Sequence, residues 1–282
     1  MSYDGLRAGT LNYAPCRYGT SNLLFRGPER RLDAPFVAFL GGTETYGKYI
    51  KAPYPALVES ILGVNCINFG ICNAGIDVFL NDPGLTDVLQ QAQMTVVQVI
   101  GAGNLSNKYF TVHPRRNDRF VAATPLLTQL YPEVDFAEFH FNKHMLSKLH
   151  SVSWKRFATV RTELQDVWRM RMGLLLKSLP PQTVLFWFAD HVPHRTVPVG
   201  INPADAGDPL FVTQEMLAEL DPVVQATVTV KASDTAIDAG LDGMVFNELE
   251  ALAAGCMLGA KAHGEAAANL AGVLQNLVGV LD

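Results

Sequence analysis

The chain has 282 residues, of which 49% are hydrophobic and 17% are charged, and its formal net charge is −5. This apolar content is enough to form a large buried core, which excludes a low-complexity disordered chain. The negative balance predicts no general attraction to nucleic acid or to an anionic membrane surface, so we expect neither as a partner.

The N-terminal segment has no apolar stretch after a basic start, and no apolar run reaches membrane-spanning length. The four cysteines are scattered and lack the CxxC spacing of a zinc site. Disulfide frameworks belong to small secreted domains, which this chain does not resemble in composition. We therefore expect a cytoplasmic protein with reduced thiols, no metal and no cofactor.

Residues 1–34 are rich in Gly, Arg, Asn and Pro and lack periodicity, which predicts an irregular arm that packs on or near the domain. Residues 35–282 contain no internal repeat and no linker-like composition. We expect them to form one domain.

Short apolar runs alternate with helical patterns over the first hundred residues. APFVAFLGG, VNCINFG and TVVQVIGAG each predict a buried strand that ends at glycine, and the segments between them predict helices, the second of which begins near Asp82. Strand, helix, strand, helix, strand is the pattern of a parallel sheet covered on both faces.

The second half of the chain continues this alternation. NKYFTVHPRRNDRF predicts a polar loop, and the stretch from about Asp135 to Lys177 predicts a long helical region. PPQTVLFWFAD and QATVTVKAS predict two further strands, separated by a loop rich in Pro and Gly and by a short helix. A final helical region is expected from about Asn247 to Leu281, interrupted near Gly259. The sequence predicts a three-layer α/β/α sandwich with a central, mostly parallel five-stranded sheet.

The first predicted strand ends in the string LGGTETYG. This string places the hydroxyl of Thr43 at the carboxyl end of a central strand, where open α/β sheets bind their ligands. A hydroxyl in such a position serves as a nucleophile when a base reaches it. The ordinary alternative is a glycine-rich turn in which Thr43 caps the following helix.

The spacing Gly-x-hydroxyl-x-Thr-x-Gly resembles the first sequence block of the SGNH (GDSL-like) hydrolase superfamily, with Gly41, Thr43, Thr45 and Gly47 in register. Gly42 occupies the position of the usual aspartate, and Thr43 that of the usual serine. The string also resembles GG[ST]ET[YF]G, which recurs in an uncharacterised SGNH-like group of bacterial proteins. The resemblance implies an SGNH- or flavodoxin-like sandwich and a carboxylic ester hydrolase with Thr43 as the catalytic nucleophile.

The resemblance extends to the ends of the next two strands. NFGICNAG is similar to the second block, which implies that Gly70, together with Thr43, contributes a backbone N–H to an oxyanion hole. GAGNLSN is similar to the third block, in which an asparagine amide donates to the oxyanion. Asn104 is our candidate for this amide, although it lies one position late, and Asn107 is the fallback.

The resemblance also implies a base just before the last helix, in a D-x-x-H string. AKAHG places His263 at the histidine position, whereas Ala260 occupies the position of the aspartate that orients the imidazole. A histidine there is otherwise an ordinary surface or helix-capping residue. Asp190 and His191, at the end of the fourth strand, are the alternative base.

Other residues beside these motifs are candidate substrate-binding groups. Glu44 and Tyr46 lie just after Thr43, and Asn107 lies at the end of the third motif. Arg115 and Arg116 follow the third strand, where they bind an anionic group of a substrate or form solvent-exposed salt bridges.

Two functions follow from these motifs. The first is an SGNH-like ester hydrolase or acyl transferase that acts on O-acyl groups of a carbohydrate. The second is a catalytically degenerate SGNH-like module that binds a glycan or a protein partner, which the replacement of the usual serine and aspartates favours. A homo-oligomer is compatible with both.

Overall fold

The computed structural model describes residues 10–197 and 200–278. Its strands, in chain order, are β1 (Phe36–Gly41), β2 (Asn65–Gly70), β3 (Met94–Gln98), β4 (Phe110–Val112), β5 (Phe120–Ala123), β6 (Thr183–Ala189) and β7 (Ala226–Lys231). Five of them form one sheet in the order β2-β1-β3-β6-β7, and each neighbouring pair is parallel. Numbered along the chain, these five strands have the order 2-1-3-4-5, which is the flavodoxin-like arrangement.

Helices follow or precede the strands of this sheet. Within the described residues they are α1 (Thr43–Tyr46), α2 (Tyr54–Leu62), α3 (Asp77–Leu80), α4 (Pro83–Leu89), α5 (Pro125–Leu130), α6 (Asn142–Val152), α7 (Trp154–Ser178), α8 (Gln214–Ala218), α9 (Asp234–Asp238), α10 (Ala251–Ala254) and α11 (Ala260–Val278). None of the described helices is long and apolar enough to cross a membrane.

The sheet separates two apolar cores, because successive side chains of a strand point to opposite faces. On one face Leu40 belongs to a core that contains Trp168 of α7. On the other face Phe39 belongs to a core that contains Val58 of α2 and Leu270 of α11. The predicted three-layer α/β/α sandwich with a parallel five-stranded sheet is therefore confirmed.

The helix boundaries follow from local signals. The carboxylate of Asp82 accepts a hydrogen bond from the backbone N–H of Leu85 at 2.8 Å, so α4 begins where the Asp-Pro pair predicts. The predicted long helical region is instead two helices. Ser153 separates them with an extended backbone (φ −160°, ψ 101°), and its hydroxyl accepts from the N–H of Arg156 to cap α7.

The predicted polar loop after β3 is wrong in part, because β4 and β5 pair there as an antiparallel hairpin. Phe110 and Val112 are buried while Thr111 between them is exposed, which is the alternation of a half-buried strand. The polar string HPRRND forms only the turn of the hairpin.

Residues 10–34 of the predicted arm form no strand or helix but pack against the sheet. The ring of Phe25 is buried and lies 5.1 Å from the ring of Phe69 in β2. The guanidinium of Arg26 donates to the carbonyl oxygens of Ile50 and Lys51 at 2.7 and 3.0 Å, which fixes the loop after α1. Residues 1–9 of the arm and 279–282 of the last helical region lie outside the described residues, and the boundary at residue 34 stays a prediction.

Candidate functional site

A cavity of about 730 Å³ lies at the carboxyl ends of the central strands. Thr43 and Glu44 reach it from the end of β1, Asn104 from the loop after β3, and Asp190 from the end of β6. The chain leaves β1 towards one edge of the sheet and continues from β3 towards the other, which is where open α/β sheets bind ligands. The volume is within the range of small-molecule sites.

The cavity has two chemically different walls. The loops after the strands and the start of α6 form a polar wall, which includes Thr43, Glu44, Asn73, Asn104, Asp118 and Asp208. The other wall is apolar apart from one thiol and comes from α9 and the segment before α11, with Ile237, Cys256, Met257 and Leu258.

Gln98, the last residue of β3, organises the turn that carries Thr43. Its Oε1 accepts hydrogen bonds from the backbone N–H groups of Gly42 and Thr45 at 3.0 and 3.2 Å, and from the Thr45 hydroxyl at 2.5 Å. A side chain at Gly41 would collide with Gln98 and with the Thr45 hydroxyl, so the close approach of β1 to this turn requires glycine.

The hydroxyl of Thr43 borders the cavity and is bonded to Asn73. Its Oγ accepts from the backbone N–H of Asn73 at 3.0 Å, and its proton is directed to the Asn73 Oδ1 at 3.3 Å. Asn73 has a left-handed backbone (φ 56°), a conformation that asparagine tolerates better than most residues. Among the described residues, no imidazole forms a hydrogen bond with Thr43.

The structure does not bring His263 to Thr43. His263 lies one turn inside α11, is only 1% exposed and does not line the cavity. Its Nδ1 accepts from the backbone N–H of Tyr54 at 3.2 Å, and its ring lies 5.3 Å from the ring of Phe188. Burial, aided by the positive charge of Arg26, lowers the pKa of His263 to about 3.

Two of the three expected oxyanion-hole groups, Gly70 and Asn104, differ in availability. The N–H of Gly70 already donates to the Asn68 Oδ1 at 2.8 Å. Asn104 borders the cavity, and its Oδ1 accepts from the Nδ2 of the buried Asn142 at 3.1 Å. In residues 10–197 and 200–278, the Asn104 Nδ2 forms no hydrogen bond, so this amide is available to a ligand. The N–H of Asn73, already directed at Thr43, was not among the predicted donors.

Glu44 is the carboxyl group next to Thr43 on the cavity wall. Its Oε2 accepts from the Nε2 of Gln98 at 3.1 Å, and its carboxyl group is also bonded by its own backbone N–H. Burial raises the pKa of Glu44, and the negative charge of Asp208 raises it further.

Besides Glu44, the charged residues that border the cavity are Asp118, Lys143, Asp190 and Asp208. The carboxylate of Asp118 accepts from the Nδ2 of Asn73 at 3.4 Å, and burial raises the pKa of Asp118. The Nζ of Lys143 donates to the carbonyl of Ala206 at 3.4 Å. No group of three or more His, Cys, Asp or Glu side chains that could hold a metal ion occurs in the described ranges.

The alternative base, Asp190 with His191, lies at the edge of the cavity. The Asp190 Oδ1 and the His191 Nδ1 are 2.6 Å apart, and the imidazole of His191 stacks on that of His194 at 5.3 Å. Asp190 borders the main cavity, but His191 lines an adjoining pocket of about 250 Å³. The imidazole of His191 therefore lines a different pocket from the hydroxyl of Thr43.

The remaining predicted residues lie outside the cavity. Arg115 and Arg116 are exposed on the hairpin turn, where their backbone N–H groups donate to the Nδ1 of His113 at 3.2 and 3.1 Å. The ring of Tyr46 packs 5.2 Å from that of Tyr13. The Oδ1 of Asn107 accepts from the N–H groups of the two residues Tyr109 and Phe110. None of these predicted residues lines the cavity.

Sequence reasoning missed Gln98, Asn73, Asp118 and Asp208. Gln98 has a visible signal, since it is a polar residue inside the otherwise apolar string VVQVI. Asn73 lies within the second motif, but the resemblance of that motif gives a role only to its glycine. Asp118 and Asp208 come from a hairpin and a long loop, and nothing local indicates that they face the cavity.

A family model described as Domain of unknown function (DUF6473) matches residues 1–278. No match was found among the curated proteins. Among solved structures, the crystal structure of a possible lipase from Chitinophaga pinensis DSM 2588 is 12% identical, with a TM-score of 0.40, and the match covers 86% of this chain and 98% of that chain. A likeness at this TM-score says nothing about the chemistry of the site. Neither match names the SGNH superfamily, so that resemblance stays a prediction.

Proposed function

The chain belongs to the DUF6473 family, and we propose that it is a hydrolase or acyl transferase that acts on carboxylic esters with Thr43 as its nucleophile. One observation carries the proposal: Thr43 borders the same cavity at the carboxyl edge of the sheet as Asn104, whose Nδ2 has no hydrogen-bond partner among the described residues. A nucleophile and a neutral donor for the developing oxyanion are the two groups that acyl transfer needs first.

In the proposed reaction the Oγ of Thr43 attacks the carbonyl carbon of the ester. The oxyanion that forms accepts hydrogen bonds from the Asn104 Nδ2 and from the backbone N–H of Thr43, the first residue of α1. The β-methyl group of threonine restricts its rotamers, so we expect slower turnover than a serine at this position would give.

The two walls of the cavity support an amphipathic substrate. An acyl group is suited to the side chains of Ile237 and Leu258, and the carboxylates and amides opposite are suited to the hydroxyl groups of a sugar. We therefore propose O-acyl groups of a carbohydrate as the substrate class.

The cytoplasmic location stays part of the proposal, supported by four cysteines that are all free and all lie in the described ranges.

Hydrolysis of aryl acetates by wild type, Thr43→Ala and Thr43→Ser tests this function. We expect turnover by wild type, none by Thr43→Ala, and faster turnover by Thr43→Ser. Thr162→Ala is the matched control, because Thr162 is an exposed residue of α7 whose hydroxyl bonds only to its own helix. Absence of turnover in all variants, on several acyl esters, would contradict the proposal.

A second candidate is a binding module without catalysis, and a specific observation favours it. The proton of Thr43 is directed to an amide oxygen rather than to a base, and the segment before α11 borders the cavity with Cys256, Met257 and Leu258 instead of an imidazole. In that case the variants bind an ester analogue in the cavity and none of them hydrolyses an ester.

A further inference from the structure

The proposed nucleophile needs a group that takes its proton, and both predicted imidazoles lie outside the cavity. His263 accepts from a backbone N–H behind it, and His191 lines the adjoining pocket. We infer that Glu44 is the proton-transfer group of this site, an inference that rests on the proposed ester chemistry at Thr43.

Position on the chain supports this assignment. Glu44 follows Thr43 in α1, and both side chains border the same cavity. Gln98 holds both residues in a fixed arrangement. Its Oε1 accepts from the backbone N–H groups just before Thr43 and just after Glu44, and its Nε2 donates to one oxygen of the Glu44 carboxyl group. Apart from Gln98, the carboxyl group is bonded only by its own backbone N–H among the described residues, so no other side chain competes with the Thr43 hydroxyl as a donor to it.

The other charged groups of the polar wall also have hydrogen-bond partners, so Glu44 is distinguished from them by its place beside Thr43 in the chain and not by a free oxygen. Asp118 accepts from the Asn73 amide, Asp190 is bonded to His191, and the Oδ1 of Asp208 accepts from the N–H of Leu210 at 3.2 Å. Lys143 donates to a backbone carbonyl. Glu44 is the carboxyl group that lies closest along the chain to the nucleophile.

The surroundings of Glu44 make its carboxylate a stronger base than an exposed one. The titratable groups that face it are Asp208 from the loop before α8, Tyr54 from α2 and Cys72 from the loop after β2. Burial and the charge of Asp208 both raise the pKa of Glu44 above its ordinary value of 4.5. A general base is most effective when its pKa approaches the working pH.

The reaction balances with this single group. The Glu44 carboxylate takes the proton of the Thr43 hydroxyl as Oγ bonds to the acyl carbon, and gives that proton to the alkoxide when the ester C–O bond breaks. Water then attacks the acyl-threonine ester, and Glu44 takes a proton from the water. When the acyl–Oγ bond breaks, the proton returns to Oγ, which releases the carboxylic acid and restores both groups.

The test measures aryl-acetate hydrolysis by Glu44→Gln, Glu44→Asp and wild type between pH 4.5 and 9. Glutamine keeps the size of the side chain and an oxygen that accepts from Gln98, so we expect thermal unfolding close to wild type. The expected loss in kcat for Glu44→Gln is on the order of 10²-fold or more with KM little changed, and Glu44→Asp recovers part of it. The exposed residue Glu215, on α8, supplies the matched control Glu215→Gln.

The pH profile separates a proton-transfer role from a structural one. Wild-type kcat should fall as the pH drops through the raised pKa of Glu44, and this acid limb should be absent from the residual activity of Glu44→Gln. A Glu44→Gln variant that keeps wild-type kcat and the same acid limb overturns the inference and leaves the esterase proposal intact. Wild type without activity on any ester overturns both.

Discussion

Asn142 donates a hydrogen bond to the side-chain oxygen of Asn104 across 3.1 Å, and Asn142 is fully buried. The same Nδ2 of Asn142 donates to the carbonyl of Asn117 at 2.5 Å. Asn142 therefore fixes which end of the Asn104 amide is engaged behind the cavity wall, and the Nδ2 of Asn104 is the end left for a ligand.

The first prediction concerns this amide. Asn104→Ala removes a donor to the oxyanion and should lower kcat for aryl-acetate hydrolysis on the order of 10²-fold, with a smaller change in KM. The control is Asn269→Ala, since Asn269 is an exposed residue of α11 that bonds to the carbonyl of Glu265. Equal kcat values for the two variants would remove Asn104 from the mechanism.

The second prediction concerns the acid sensitivity of the fold. The pKa of His263 is lowered to about 3 in the folded protein from an ordinary 6.5, so between these pH values the unfolded chain binds the extra proton. The free energy of unfolding should therefore fall on acidification from pH 6.5, by about 2 kcal/mol at pH 5 from this residue.

Urea unfolding of wild type and His263→Gln at pH 7 and pH 5 measures this contribution. The variant should lose less free energy of unfolding between the two pH values than wild type does. The exposed His140 provides the comparison variant His140→Gln, which should keep the wild-type pH dependence. Identical pH dependence in wild type and His263→Gln would show that the histidine is not buried in its neutral form.

The third prediction concerns Cys256, an exposed thiol on the apolar wall of the cavity. Burial raises the pKa of Cys66 and of Cys72 to about 12, so these thiols should react slowly with iodoacetamide at pH 7.5. Mass spectrometry should find Cys256 alkylated first. Acetanilide, an amide analogue of phenyl acetate, should slow this alkylation by occupying the cavity.

Cys256→Ser is the control for this labelling and should abolish the fast phase. Because the readout is occupancy of the cavity, protection by acetanilide is expected for the esterase and also for a binding module without catalysis. Unchanged alkylation of Cys256 at saturating acetanilide would show that aryl ester analogues do not enter this cavity.

The fourth prediction concerns Trp168, which is fully buried in α7 and donates from its indole N–H to the carbonyl of Ile100 at 2.7 Å. Trp168→Phe leaves that carbonyl without its donor and should lower the free energy of unfolding by about 1–3 kcal/mol. Trp154→Phe, at a residue that is 50% exposed, should change it by less than about 0.5 kcal/mol. Equal urea midpoints for the two variants would contradict this role of Trp168.

The sheet was predictable because β1, β3 and β6 are mostly apolar runs, and because β7 alternates buried valines with exposed residues. Parallel strands align their carboxyl ends, so three motifs far apart in sequence were expected to meet, and Thr43 and Asn104 do share one cavity. The hairpin was missed because β4 and β5 have only three and four residues, too few for a periodic signal.

The base was not predictable in the same way. The position of His263 in the sequence matches the resemblance, but α11 begins at Ala260, so the imidazole is inside the helix and packs against Tyr54. Periodicity shows that a helix exists and does not specify its first residue. Charge patterns likewise do not distinguish Arg116, exposed on a turn, from Asp118, two residues later, which borders the cavity.

The two walls of the cavity also differ in how the chain builds them. The polar wall is assembled from loops that follow different strands, whereas the main apolar wall comes from one continuous stretch, residues 236–259. If the proposed esterase activity holds, exchange of that single stretch between relatives would alter the acyl preference while Thr43, Glu44 and Asn104 stay in place. The architecture thus allows new substrate preferences to arise by a single segmental replacement, without reconstruction of the reacting groups.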